Sequence, residues 1–234
     1  MKTYKDIEQK TLEWFEIKWG KIGGTLSKGL FVKSDTLLID ILSQQLEEFE
    51  PGEGFQNEAM ERGNDLEPFA VEYLEQYTGL KFEQFGWLQS EDNSLLGISP
   101  DGLTADHKAA CEIKCLKRKG HTQVLMKNEI PLEYIHQCCH YFTVNPDLES
   151  LFFCAYRPES VKNFVKELTL DSIVDLGLKV KVETEQFGKK GQPIKPKITT
   201  EADLRTVREW RDYAIEKANE LKLDIYNNIK SLKF

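Results

Sequence analysis

The chain has 234 residues, 40% of them hydrophobic and 30% charged, with 15 glycines and 8 prolines, which excludes collagenous, low-complexity and disordered classes. Lys plus Arg number 31 against 39 Asp plus Glu, and the net charge of −8 repels nucleic acid unless positive charge is segregated into a groove. No Gly/Ser/Pro-rich linker divides the sequence, no apolar run approaches the roughly 18 residues that span a bilayer, and the start is polar, so one soluble domain over residues 1–234 without an export signal is expected.

Ile7, Leu12, Trp14, Phe15 and Ile17 give a first helical pattern that ends in a glycine-broken stretch, residues 20–25, expected to be a turn or ligand-approach loop. A second helix is expected from about residue 34 to 48, then a loop over 50–54. Ala59, Gly63, Leu66, Ala70, Tyr73, Leu74 and Tyr77 keep helical spacing up to a capping Gly79. Pro68 either kinks that helix or restarts it with Glu67 at the cap.

Strands are expected over 81–88, 95–99 and 110–116, the second ending at the turn signal Pro100-Asp101-Gly102. In the third, Cys111, Ile113 and Cys115 face a core while Glu112 and Lys114 share the other side. A helix over 131–144 and strands near 151–156 and 164–170 complete an α/β order. Residues 179–197 hold six lysines against two glutamates and read as a basic, mobile loop or hairpin. The last helix is expected to open at a cap-like Thr200-x-x-Asp203 and to carry the stripe Leu204, Val207, Trp210, Ala214, Ala218, Leu221.

The chemistry concentrates in Ser99-Pro100-Asp101-Gly102 and Cys111-Glu112-Ile113-Lys114-Cys115, with Glu112 following Asp101 by 11 residues. A turn and hairpin return bring the two carboxylates together, and two converging carboxylates bind a hard divalent cation such as Mg²⁺, with the Ile113 carbonyl as a third ligand. Lys114, one alternation on, can orient a water and stabilise charge developing on a phosphate, a set that suits phosphodiester hydrolysis. Each residue alone has a plainer reading: Asp101 as a turn residue, Glu112 and Lys114 as a solvated strand face. The five cysteines, at 111, 115, 138, 139 and 154, are an odd, clustered set that fits a reduced cytoplasmic protein. His136 and His140 have zinc-helix spacing but lack the glutamate of a zinc protease.

Residues 14–25 (WFEIKWGKIGGT), 62–73 (RGNDLEPFAVEY), 99–103 (SPDGL), 111–115 (CEIKC) and 134–137 (YIHQ) together resemble the lambda-type alkaline exonucleases, or YqaJ-like viral recombinases, of the PD-(D/E)xK nuclease superfamily. The resemblance implies a restriction-endonuclease-like core, a central mixed β-sheet flanked by α-helices, with a long C-terminal helix. It implies catalysis by Asp101, Glu112 and Lys114, with Glu67 helping to hold the metal beside Asp101, Glu112 and the Ile113 carbonyl. Mg²⁺ is the implied cofactor, with Mn²⁺ as an alternative and two ions per site. Lys18, Thr25, Ser99 and Gln137 fall where the family gathers polar groups around the DNA 5′ phosphate. Lysine stands at 18 where lambda-type members place arginine, a point charge in place of a bidentate fork.

The activity so implied is 5′ to 3′ exonuclease digestion of one strand of linear double-stranded DNA, leaving a 3′ overhang for phage-type recombination. The rivals are a structure-specific or restriction-type endonuclease and a catalytically silent DNA-binding scaffold. The expected partners are double-stranded DNA ends, a single-strand annealing recombinase and two further copies in a homotrimeric ring, in the cytoplasm of a bacterial host and encoded by a phage or prophage. Lys117, Arg118 and Lys119, with Lys189 and Lys190 of the basic segment, are the expected contacts to the DNA backbone.

Overall fold

The computed structural model describes residues 1–32, 35–50, 58–187, 189 and 191–232, with side chains in the fourth helix described from residue 65 onward. The elements run β1 (Lys2–Tyr4), α1 (Leu12–Lys18), α2 (Lys28–Phe31), α3 (Asp35–Leu46), α4 (Glu58–Thr78), β2 (Trp87–Gln89), β3 (Gly97–Ile98), β4 (Gly102–Leu103) and β5 (Ala109–Cys115). They continue with α5 (Arg118–Lys127), α6 (Leu132–Val144), β6 (Ser150–Tyr156), β7 (Phe164–Leu168), β8 (Ile173–Phe187), β9 (Pro193–Thr206) and α7 (Val207–Leu232).

Strands β4-β5-β6-β7 form a mixed sheet in which β5 and β6 are parallel and the outer pairs antiparallel. A parallel pair needs a crossover, here supplied by α5 and α6. Strands β1, β2 and β3 form a small antiparallel sheet, and β8 pairs with β9 in a separate long hairpin. The faces of β5 follow the alternation read from the sequence. Cys111 and Ile113 pack with Cys154 against Ala70 and Leu74 of α4. Ala110 joins the larger core, which includes Leu151 and Phe153 of β6, Ile135 and Phe142 of α6 and Trp210 of α7. Helix α6 is buried along most of its length, and α7 packs against α2, α3 and α6.

Several expected boundaries move. The first helix begins at Leu12, capped by Thr11, because residues 2–4 are drawn into a strand with β2 and Lys10 takes a left-handed φ of 73° that turns the chain. The strand expected over 81–88 shortens to Trp87–Gln89, with Glu83 making only an isolated bridge to Leu103. Pro68 neither ends nor restarts α4, which runs through it with Glu67 inside the helix. Burial of Ala70 and Leu74 against β5 offsets the one backbone hydrogen bond that proline removes.

Residues 118–127, for which no element is expected from the sequence, form a helix. The final helix starts at Val207 and not at Thr200, because residues 197–202 are held in register with β8. Its N-terminus carries a different capping box: Thr206 N donates to Glu209 Oε2 at 2.8 Å and Glu209 N to Thr206 Oγ at 3.2 Å. The basic segment is a paired hairpin. The turn expected over 50–54 lies, beyond Glu50, outside the described residues, as do Ser34, Gly188 and Lys190. No described helix is long and apolar enough to cross a membrane.

Candidate active site

Gly102 pairs with Cys111 across β4 and β5, which puts Asp101 just beyond the short strand and level with Glu112, next to Ile113. Asp101 Oδ2 accepts the Ile113 N–H at 2.6 Å, so the carboxylate continues the ladder that β4 no longer supplies. Within a strand, one residue's N–H and C=O face the same edge. The Ile113 carbonyl therefore lies on the edge held by Asp101, beyond the last backbone pair of β4.

Glu112 is 0% exposed, an unusual place for a carboxylate, and Gln137, Tyr141 and Lys114 compensate it. Its Oε2 accepts Gln137 Nε2 at 2.9 Å and the Tyr141 hydroxyl at 2.8 Å, both from α6. Tyr141 also donates to the Cys111 carbonyl at 3.1 Å, tying α6 to β5. The Lys114 ammonium ion-pairs with the buried Oε1 and engages one of that oxygen's two lone pairs. Oε1 thus keeps lone-pair capacity inside the site. Burial would lower the Lys114 pKa, but Glu112 and then Asp101 outweigh it and hold the ammonium above its ordinary value. Burial, reinforced by Glu112, pushes the Asp101 carboxyl well up, and Lys114 opposes the rise only in part.

A hard divalent cation suits this donor set. The set supplies two carboxylates, one with a buried oxygen that keeps a lone pair beyond its lysine partner, and a carbonyl on the edge that Asp101 holds. A cation there would also offset the burial and the repulsion from Glu112 that raise Asp101. Among the described residues no three His, Cys, Asp or Glu side chains cluster as a ligand group, and Glu67 approaches from α4. Its carboxyl is raised mainly by burial, lowered by Lys10 and Lys114 and raised by Glu112, which places it within electrostatic reach of the site. Glu67 and Asp101 line one cavity of about 520 Å³, whose other wall is formed by residues 5–10.

Lys18 occupies a different setting. Its ammonium sits 3.3 Å from the Trp14 ring centroid and 5.8 Å from that of Trp87, and burial alone lowers its pKa from 10.5 to about 8. Trp14 Nε1 donates to Ser99 Oγ at 2.8 Å and to the Gly86 carbonyl at 2.9 Å, and Ser99 in turn donates to Gly86 O at 2.8 Å. Ser99 therefore fixes the ring on which Lys18 rests. Gln137 bridges Glu112 to the glycine loop, where a Cβ on Gly24 would lie 2.8 Å from Gln137 Cγ. Thr25 is exposed next to it.

Lys117 caps α5, with Arg118 and Lys119 exposed in its first turn, three residues beyond Lys114 and onward. Lys189 stands exposed in the turn between β8 and β9, and Lys190 lies outside the described residues. His136 and His140 do not converge: His140 bridges the Ile22 and Gly97 carbonyls, while His136 packs edge-on against Phe31. Tyr141 and Trp14 were not picked out by sequence reasoning as site residues. The signal for Tyr141 was its spacing from Tyr134 and Gln137, which places all three on one face of α6.

The fold is that of an alkaline exonuclease. The crystal structure of the alkaline exonuclease LHK-Exo from Laribacter hongkongensis matches with a TM-score of 0.62 and 22% identity, covering 95% of this chain and 99% of that one. LHK-Exo in complex with dAMP matches over the same shares at 21% identity, also with a TM-score of 0.62. Residues 13–146, more than half of the chain, match the YqaJ-like viral recombinase domain, and the chain belongs to that family. No curated protein matches it in sequence.

Proposed function

We propose that the protein is a Mg²⁺-dependent exonuclease that digests one strand of linear double-stranded DNA from its 5′ end, leaving a 3′ overhang for recombination. The observation that carries this reading is the junction of Asp101, Glu112 and Lys114 on one strand edge, with the Ile113 carbonyl on the same side. Family membership and the alkaline exonuclease fold support it.

Asp101, Glu112 and the Ile113 carbonyl would hold the cation, Mg²⁺ or alternatively Mn²⁺, with Glu67 beside them to serve a second ion. When bound, such an ion supplies Lewis-acid polarisation of the phosphodiester and a lower pKa for water. Lys114, held cationic by its two acids, orients the attacking water and balances charge growing on the phosphate. Gln137 and Tyr141 keep Glu112 in place through its Oε2. Lys18, with Thr25 alongside, receives the terminal 5′ phosphate from its aromatic seat, a point charge that neutralises without forking.

A net charge of −8 conflicts with a polyanionic substrate unless cations are gathered inward. A homotrimeric ring lined by Lys117, Arg118, Lys119 and the β8–β9 hairpin with Lys189 meets that requirement, and cyclic symmetry closes it with identical chains. Light scattering should return three times the 27.1 kDa chain mass, and a monomer at micromolar concentration overturns the ring. The remaining proposed context is a single-strand annealing recombinase as partner, in the cytoplasm of a bacterial host that carries the gene on a phage or prophage.

The decisive assay uses linear duplex labelled separately at each 5′ and 3′ terminus, a circular control, and Mg²⁺ present or chelated. Early release of 5′-terminal mononucleotides with circles spared is the expected result. Cut circles point to an endonuclease, and no cleavage of either form points to a silent scaffold.

A further inference from the structure

One wall of the cavity beside Asp101 comes from residues 5–10, which precede the family-matched residues. This segment is built into place. Gln9 Nε2 donates to the Phe85 carbonyl at 2.9 Å and to the Pro100 carbonyl, adjacent to Asp101, at 3.0 Å. Gly86 donates its N–H to the Tyr4 carbonyl at 3.1 Å, and a Cβ there would lie 2.0 Å from the Ile7 carbonyl oxygen. Only glycine at 86 lets the segment approach the site so closely.

Lys10 ends this wall. Its φ of 73° is the left-handed backbone that favours glycine, yet the position holds a long cation whose side chain is exposed and lines the cavity with Glu67 and Asp101. Its charge also reaches Glu67, where it opposes in part the rise that burial imposes on that carboxyl. Lys10 thus stands on the Glu67 side of the acids, whereas Lys18 is seated on Trp14 and Ser99 reaches that ring from the Asp101 turn. A strand whose end phosphate lies at Lys18 and whose cut bond lies at Asp101 and Glu112 would place its next phosphate toward the 520 Å³ cavity.

We propose that Lys10 is a DNA-backbone contact, binding the phosphate next to the one that is cut and so setting the depth to which the strand enters. This rests on the nuclease reading above. A phosphate contact leaves a mark that mere neutralisation of Glu67 does not: the release of one condensed counterion.

The test compares the parent protein with Lys10→Gly and Lys10→Arg. Duplex affinity is measured across a salt series with Ca²⁺ replacing Mg²⁺, alongside steady-state cleavage in Mg²⁺. Lys10→Gly should raise KM by roughly fivefold, more than it lowers kcat, and make the slope of log affinity on log salt shallower by about 0.9. Circular dichroism should show its fold retained, since glycine adopts this backbone without steric cost. Lys10→Arg should retain the parent slope. Lys10→Asn, which also tolerates a left-handed φ, gives the same readout should the glycine variant prove unstable. A parent salt slope in Lys10→Gly overturns the proposal, including the case in which only the acid limb of its pH–rate profile moves. A parent protein that neither binds nor cuts linear duplex sinks the nuclease reading itself, and is told apart by the parent's own inactivity.

Discussion

Two lysines of the site sit in opposite surroundings. Lys114 is packed against the carboxylates of Glu112 and Asp101, and their attraction exceeds the penalty of burial, so its proton is held more tightly than in water. Lys18 is packed against the rings of Trp14 and Trp87, and burial leaves it with a pKa near 8. An aromatic face attracts a cation through a quadrupole, worth about 0.5–2 kcal/mol, which is less than a full opposite charge at contact in a poorly solvated pocket. The first lysine has a fixed charge suited to a reacting centre. The second has a charge that an arriving phosphate can restore.

Removing the fixed charge should have the largest effect. Lys114→Ala, Glu112→Gln and Asp101→Ala should each cut cleavage by roughly a thousandfold or more in single-turnover assays, while circular dichroism shows the fold retained. A folded Lys114→Ala protein with near-normal turnover would break the contrast at its stronger end. Tyr141→Phe should act through Glu112 and cost less, about tenfold in kcat with KM nearly constant, because Gln137 still holds Oε2. A Tyr141→Phe protein with full kcat would show that Tyr141 serves only to pack α6 on β5.

The same contrast bears on what the sequence made legible. The acid–lysine alternation of β5 was readable because a strand has period two, and Cys111, Ile113 and Glu112 do face as that period requires. The turn at Pro100-Asp101-Gly102 was readable from its residue types. The aromatic seat was not, because Trp14, Trp87 and Ser99 are far apart in the chain and meet only through tertiary packing. The same limit hid residues 5–10, whose role depends on the close approach of Gly86 to Ile7. Local signals also misled where pairing overrode them: Thr200-x-x-Asp203 has cap chemistry, yet Thr200 is taken by Lys181 across the hairpin and Asp203 by Arg205. The true box at Thr206 and Glu209 has the same spacing six residues on.

The smallest expected effect sharpens the comparison most, because it follows the proton on Lys18. A duplex with a 5′ phosphate should be cut about fivefold more efficiently than one with a 5′ hydroxyl near pH 7, and Lys18→Ala should erase the difference. In kcat/KM, which reports the free enzyme, the preference should decline as pH rises through about 8, where Lys18 loses its charge. Lys18→Arg should keep its preference level across that range, since a guanidinium does not titrate there. Stability should respond with the opposite sign. A lysine whose folded pKa is depressed below 10.5 binds its proton less in the native state than in the unfolded one, so the Lys18 contribution to unfolding free energy should rise between pH 8 and 10.5. In thermal melts the parent should therefore gain on Lys18→Arg over that window while its 5′-phosphate preference falls. A preference that stays constant up to pH 10 in the parent would separate Lys18 from the DNA end and leave its aromatic seat a packing feature.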